Sequence, residues 1–185
     1  MYPVSDAFLR AVRSNTRKYF WTGTIVTKGG MTYEFGAKEI VKGSGYISRQ
    51  CCGSTEIELG TVYAAEMGIT LLSDIDRYTL EDALVTLVFH LVLADGSVED
   101  VPMGVFEVSE ANRLAKCLEL KAYDFMLRFD KSFNGFETVG TAYDFIALCC
   151  KRCKVEFANK RAEIDAMPNG GVTLSVYTEN DIETC

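Results

Sequence analysis

The feature that most constrains the fold is an alternation of side chains over residues 84–93. Every second residue of this segment is apolar: Val85, Leu87, Phe89, Leu91 and Leu93. A period of two is typical of a β-strand with one buried face. Asp95-Gly96 follows and suits a tight hairpin turn. The return strand, residues 98–108, contains Pro102 and Gly104, so we expect it to be bulged or to lie at a sheet edge.

Other short β-segments surround this hairpin. Alternating side chains and breaks at Gly or Ser predict them at 21–27, 31–35, 45–51, 56–59, 61–71 and 114–122. Many short antiparallel strands favour a small barrel or a sandwich. Through about residue 122 the sequence therefore predicts a β-rich, barrel-like domain.

The N-terminal segment is basic and has helical spacing. Ser5 and Asp6 are good N-cap residues, and apolar side chains recur at helical spacing up to Tyr19. Residues 1–30 hold one acidic residue against five basic ones: Arg10, Arg13, Arg17, Lys18 and Lys28. The whole chain has the opposite balance, 26 acidic against 19 basic residues, which argues against a general nucleic-acid binder. The basic face is either solvated or a docking surface for an acidic neighbouring subunit.

The sequence changes character after about residue 133. We expect a β-rich domain over 1–133 and the start of a smaller α/β domain over 134–185, giving an α+β chain overall. Thr141 and Asp144 have capping-box spacing, with Asp in place of the usual Glu or Gln. The second domain is predicted to hold a helix from about 141 to 154, a helix over 160–167 and a strand over 172–176. Residues 178–185 are typical of the first turn of another helix, so we expect the domain to continue beyond them.

The cysteines allow two interpretations. Seven cysteines without a recognisable secretion signal indicate reduced thiols, and most of them are expected to be buried structural residues. Cys150 and Cys153 have the C-x-x-C spacing of redox and zinc sites, with Cys149 beside them. Because the motif lies near the predicted end of a helix, the helix dipole opposes a reactive thiolate. The alternative is a zinc-binding interaction module, with Cys51 or Cys52 as the fourth ligand.

Residues suited to catalysis are few. His90 is the only histidine and lies within the predicted central strand, which favours a packed structural role. The acidic residues around Asp74 and Asp76 lack the glycine and the third oxygen ligand of an EF-hand loop. No segment has the length and apolarity of a membrane span. We therefore expect a folded protein that is not an enzyme and that requires no cofactor.

Several stretches together resemble the N-terminal region of siphophage tail-hub proteins, also called baseplate hub or tail-associated proteins, of phages and prophages of Gram-positive bacteria. The matching stretches are GSGYISRQC (43–51), ELGTVYAAEMGITL (58–71), SDIDRYTLEDA (73–83), LADGSVEDVPMGVFEVSEANR (93–113), LELKAYDFMLRFD (118–130), GTAYDFIALCCKRCKVEF (140–157) and MPNG (167–170). The resemblance rests on their order and spacing, since no single stretch is diagnostic.

The resemblance implies a fold similar to the hubs of contractile tails and type VI secretion spikes. In such hubs, barrel-like domains from three subunits form a ring, and a smaller α/β domain is inserted. It further implies a virion structural protein at the tail tip, made in the bacterial host cytoplasm. Its partners would be the distal tail protein, the tape-measure protein and the tail tube, and viral DNA would pass through the ring without sequence-specific binding.

A ring-forming subunit must expose strand edges and apolar patches to its neighbours. Two segments are our candidates for these contacts, the basic helix from Asp6 to Tyr19 and the segment from Val101 to Val108. The contact residues expected from them are Arg10, Arg13, Arg17, Val101, Met103, Val105 and Phe106.

Overall fold

The computed structural model describes residues 2–50, 62–131 and 138–176. They form two compact units. Unit 1 takes the described residues of Met1–Gln50 and Ala64–Asp124, and unit 2 takes those of Cys51–Tyr63 and Phe125–Cys185. The predicted strand at 56–59 and the predicted helix start at 178–185 lie outside the described residues. No helix in the described ranges is long and apolar enough to cross a membrane.

Unit 1 is built on one antiparallel sheet. Its strands are β1 (Lys18–Val26), β2 (Thr32–Phe35), β3 (Tyr46–Ser48), β4 (Glu66–Leu72), β5 (Leu84–Val92), β6 (Val98–Leu114) and β7 (Cys117–Tyr123). Their order across the sheet is β2-β1-β5-β6-β7-β4-β3. The predicted hairpin of β1 with β2 and the predicted hairpin of β5 with β6 are both confirmed.

The sequence predicted that the return strand is bulged or lies at a sheet edge, and among the described residues both hold for its first half. The β5–β6 register shifts so that Leu87 lies opposite Gly104 and Val88 lies opposite Pro102, which leaves Met103 as the extra residue. Among the described residues, β6 pairs with β7 only from Glu107 to Leu114, so residues 98–106 pair with β5 alone. A proline is tolerated at a sheet edge or at a bulge because its missing N–H interrupts no continuous ladder of hydrogen bonds there.

The core of unit 1 lies on one face of this sheet. Val85 and Leu87 of β5 and Phe106 of β6 are at most 1% exposed, as the alternation predicted for β5. Phe35 of β2 and Met67 of β4 belong to the same cluster although their strands lie near opposite ends of the sheet. The sheet therefore curves around its core, and each large apolar side chain buried there contributes about 1.5–3 kcal/mol of transfer free energy.

The sequence predicted a barrel-like domain, and among the described residues the curved sheet does not close into a barrel. Among the described residues, β2 pairs only with β1 and β3 pairs only with β4. The connection between β2 and β3 reaches β4 through one isolated bridge, Ile40 to Leu71, with the Val41 N–H donating to the Thr70 carbonyl at 2.9 Å. β2 is only four residues long, Thr32–Phe35, and is too short to complete the ring. The fold of the described residues is α+β with a mainly antiparallel sheet.

The N-terminal helix is shorter than predicted. Helix α1 spans Asp6–Val12, and the Ser5 hydroxyl accepts a hydrogen bond from the Phe8 N–H at 3.0 Å, as expected for an N-cap. The predicted extension to Tyr19 is wrong, because Lys18 and Tyr19 already pair with β5. The aromatic side chains from residue 19 onward suit a pleated strand better than a helix.

Unit 2 combines short helices with a two-stranded sheet. Its elements are a 3-10 turn (Phe125–Phe129), β8 (Thr138–Gly140), α2 (Ala142–Cys153), α3 (Arg161–Asp165) and β9 (Leu174–Val176). The predicted capping box is present, since the Asp144 carboxylate accepts a hydrogen bond from the Thr141 N–H at 2.8 Å. Lys154 ends α2 in the left-handed conformation, which agrees with the predicted end of this helix.

Candidate functional site

The three arginines predicted to form a basic helix face lie in different surroundings. Arg10 lies on α1, Arg13 is its C-cap, and Arg17 lies in the connection to β1. All three are exposed. The Arg17 guanidinium donates to the carbonyl of Val12 at 3.2 Å, so it caps the helix and does not extend it.

The four candidate residues of β6 differ in exposure. Phe106 is 1% exposed and belongs to the core, so it has almost no surface to offer a neighbouring subunit. Val101 and Met103 are half-buried, and Met103 packs against the core. Val105 is the most exposed of the four, at 39%. A subunit contact at the accessible members of this set stays a prediction.

A cleft of about 560 Å³ opens beside the start of β1. It lies where the sheet is incomplete, because β2 pairs with β1 only from Gly23 onward. Three basic residues line it, Arg17, Lys18 and Lys42, and none of the lining residues within the described ranges is acidic. The remaining lining residues are mostly aromatic, aliphatic or glycine: Tyr19, Phe20, Trp21, Ala37, Ile40, Gly43, Gly45 and Ile69.

Only some of the residues that line this cleft could be predicted from the sequence to lie near one another. The excess of basic residues near Arg17 and Lys18 was apparent, but the sequence predicted that they lie on or next to a helix. Lys42 and Ile69 join the cleft through long-range folding, since residues 37–45 lie against β4 through the Ile40–Leu71 bridge. Sequence spacing holds no signal for such a contact.

His90 lies in a chain of polar contacts on the outer face of the sheet. Its Nε2 is 2.7 Å from the Thr22 Oγ1, and its Nδ1 is 2.6 Å from the Asp100 Oδ1. The Phe20 ring stacks on the imidazole with a centroid distance of 4.6 Å. These contacts link β1, β5 and β6 and hold the imidazole in one orientation, in agreement with the predicted packed histidine.

A second cleft, of about 640 Å³, is lined in part by Thr22, Glu34 and Glu39.

The cysteines of the predicted zinc alternative lie on α2. Cys150 is buried, and Cys149 and Cys153 are partly buried. Burial raises the pKa of the Cys150 thiol, with a smaller contribution from Cys153, which disfavours a reactive thiolate. In the ranges that the structure describes, no three His, Cys, Asp or Glu side chains group as metal ligands. Cys51 and Cys52, the predicted fourth ligands, lie outside those ranges.

An ion pair joins the two α-helices described in unit 2, α2 and α3. The Arg161 guanidinium contacts the Asp144 carboxylate and stacks over the Tyr143 ring at 4.6 Å. The hydrogen bond from Arg161, followed by those from Thr141, lowers the pKa of Asp144 to about 2. These contacts connect the start of α2 to the start of α3.

Comparisons with known proteins give little further information. No family model matches the chain, and no curated protein matches it. Among solved structures, it is similar to a chain of "Virion of native gene transfer agent (GTA) particle", with a TM-score of 0.47 and 12% identity. The similarity covers 90% of this chain and 56% of that chain, so this chain spans little more than half of the other. At that TM-score the similarity carries no argument about fold or function.

Proposed function

We propose that this chain is a structural protein of a phage-type virion, a tail-tip or baseplate hub subunit without enzymatic activity. In this proposal three copies form a ring that joins the tail tube to the distal tip. The tape-measure protein and the distal tail protein are its neighbours, and viral DNA passes through the ring. The starting point is the resemblance of its sequence to siphophage tail-hub proteins over most of the chain.

The observation that carries the proposal is the exposed apolar surface of unit 2. Val139 of β8 is 64% exposed and Leu174 of β9 is 51% exposed. The β8–β9 register places Val139 opposite Ser175 and Leu174 opposite Gly140, so the two apolar side chains lie on opposite faces of the sheet. A two-stranded sheet is at best marginally stable unless another strand or layer covers it. A subunit packed in an assembly provides such a cover.

The positions of the matching stretches support a scaffold role. The stretch at 58–71 includes most of β4, the stretch at 93–113 includes nearly all of β6, and the stretch at 140–157 includes α2. These elements build the sheet and the main helix. The resemblance therefore follows the framework of the chain more than the residues around one cleft.

The charge of the chain agrees with passage of DNA through a ring. A net charge of −7 favours an acidic lumen in a ring of three copies, and like charge keeps DNA from adhering to the wall. Because the lumen needs a ring to define it, this part of the proposal depends on the trimer. A strongly positive lumen in an assembled ring would contradict it.

Electron microscopy of tail particles labelled with an antibody against this chain tests the proposal. We expect label at the distal tip of the tail. The matched control uses the same antibody after absorption with the purified chain, which should remove the label. Intact tails that lack label, although the antibody binds the chain in partly dissociated particles, would contradict the virion role. Label along the tube would contradict the hub assignment but not the structural role.

A further inference from the structure

One edge of the sheet in unit 1 is open along the start of β1. β5 pairs with β1 over its whole length, from Lys18 to Val26, whereas β2 pairs with it only from Gly23 to Val26. In the part of the chain that the structure describes, residues 18–22 have no strand partner on the side away from β5. Their backbone groups on that side border the 560 Å³ cleft. An extended peptide can add a strand at such an edge, because free N–H and C=O groups are already aligned there.

On the side of the cleft opposite residues 18–22, no strand among the described residues continues the sheet. After β2, residues 37–45 turn to β4, where Val41 and Ile40 form their backbone contacts. They contribute Gly43 and Gly45 to the lining of the cleft. A Cβ at Gly45 would meet no atom within 4 Å, so there is free space at this position. The cleft is therefore bordered on one side by the edge of β1 at residues 18–22. On the other side it is bordered by residues 37–45, which leave free space at Gly45.

The charge of the residues that line the cleft determines the charge of the ligand that it can bind. Arg17, Lys18 and Lys42 line it, and no acidic residue of the described part of the chain does, although the net charge of the chain is −7. The side chains of Lys18 and Lys42 are exposed, and neither forms an ion pair with another described residue. Opposite charges steer association and fix the register of a partner. The complementary ligand is anionic.

The apolar side chains of the cleft add a second requirement. Trp21, Ile40 and Ile69 line it, and Trp21 and Ile40 pack against the core cluster while still bordering open space. Side chains of an added strand alternate between the two faces of the sheet, so every second residue of the peptide would point toward these groups. An apolar residue at those positions gains burial, while acidic residues between them meet the basic rim.

We propose that this cleft is a strand-docking site for an extended acidic segment of a partner polypeptide, with acidic and aliphatic residues in alternation. The segment adds a strand beside Lys18–Thr22, fills the gap left by the short β2, and pairs its carboxylates with Arg17, Lys18 and Lys42. This site does not depend on the virion role, since its geometry and charge belong to unit 1 alone.

Trp21 provides a direct readout, because it is the only tryptophan of the chain and lines the cleft. The purified full chain is titrated with a capped seven-residue peptide of alternating glutamate and valine, and Trp21 emission is followed at low and high salt. We expect saturable binding that weakens as salt rises. A peptide with lysine in place of glutamate, and a glutamate peptide with N-methylated backbone amides, should not bind.

Variants of the chain test the charge of the cleft and its free space separately. Lys18→Glu with Lys42→Glu should weaken binding about tenfold or more, through loss of charge pairing at the rim. Lys116→Glu, a charge reversal at an exposed residue outside the cleft, should change it less than about twofold. Gly45→Leu should block the cleft, whereas Gly171→Leu, at another glycine with open space, should have no effect.

Three results would overturn the proposal. The first is the absence of any Trp21 response to the acidic peptide in a chain shown by circular dichroism to be folded. The second is equal binding of the lysine or N-methylated peptide, which would remove the charge or the strand-pairing argument. The third is a Trp21 signal that changes on dilution of the chain alone together with its apparent mass, which would make a second copy the occupant.

Discussion

The two units of this chain are stabilised in different ways. Unit 1 has a continuous core to which six of its seven strands contribute, including Ile25, Phe106 and Leu118 at no more than 1% exposure. Among the described residues of unit 2, the buried apolar side chains are Cys150 and Ile164, each 8% exposed. The other stabilising contacts described in unit 2 are polar, such as those of Asp144 with Thr141 and Arg161.

This difference shows which part of the chain is self-sufficient. Burial of apolar surface is the dominant favourable term in folding, and among the described residues it is concentrated in unit 1. Capping boxes and exposed ion pairs define geometry more than they supply stability. We expect unit 1 to behave as an independent cooperative unit and unit 2 to gain stability from what it contacts.

The largest expected effect is on the core of unit 1. Phe106→Ala should lower the free energy of unfolding of unit 1 by about 3–5 kcal/mol, because it removes a fully buried ring and leaves a cavity. Denaturant unfolding followed by Trp21 emission measures this loss. Val105→Ala, at the adjacent exposed position of β6, is the matched control and should cost less than about 1 kcal/mol. Equal losses would show that Phe106 is not in the core.

A glycine of unit 2 gives the next largest effect. A Cβ at Gly170 would lie 2.0 Å from the carbonyl oxygen of Ile164, so Gly170→Ala must displace the end of α3. We expect a local loss of about 1–3 kcal/mol, confined to unit 2, because the strain falls on backbone atoms. Hydrogen exchange of residues 161–165 measures it. Gly171→Ala, with no atom within 4 Å of the added carbon, should leave exchange unchanged.

A smaller effect is expected at the polar chain on the outer face of unit 1. Asp100→Asn removes the charged partner of the His90 Nδ1 and should lower stability by about 1 kcal/mol. It should also change the NMR signals of the imidazole ring. Asp74→Asn, at an exposed carboxylate away from this chain, is the control for the loss of one charge. An unchanged imidazole spectrum would mean that Asp100 does not orient His90.

The ion pair of unit 2 gives a prediction on pH. The pKa of Asp144 is lowered to about 2 in the folded chain, so its contribution to stability is complete above its ordinary value and is lost as pH falls from about 4 toward 2. Arg161→Gln should raise the Asp144 pKa toward its ordinary value, as followed by carbon NMR of the carboxyl group. Lys151→Gln, at an exposed cation of α2, should leave it unchanged. A normal Asp144 pKa in the unaltered chain would contradict the ion pair.

Local patterns in the sequence predicted much of the fold. The alternation in β5, the Asp95-Gly96 turn and the Thr141–Asp144 capping pattern each specify a structure within a few residues, and all three are present. The end of α1 was predicted wrongly because pairing of Tyr19 with Leu91 of β5 outweighs the helical spacing of the segment. A tertiary contact of this kind overrides local propensity.

Features that depend on distant strands were not predictable. A bulge or a place at a sheet edge was predicted for residues 98–108, but the point at which β6 gains β7 as a second partner, Glu107, depends on where β7 returns beside it. The barrel was expected from the number of short strands, whereas closure depends on the length and direction of the chain after Phe35. The cleft beside Lys18–Thr22 results from this incomplete closure, so no local pattern in the sequence indicates it.

The order of strands also has a consequence for the kinetics of folding. β5, β6 and β7 are consecutive in the chain and adjacent in the sheet, and the first turn is tightened by the Asp95 carboxylate, which accepts from the Ser97 N–H at 3.0 Å. β1 must instead find β5, and β4 must find β7, across long intervening segments, and the closure of such loops slows folding. In a pulse-labelling exchange experiment we therefore expect the amides between β5 and β6 to be protected first, and those between β1 and β5 to follow.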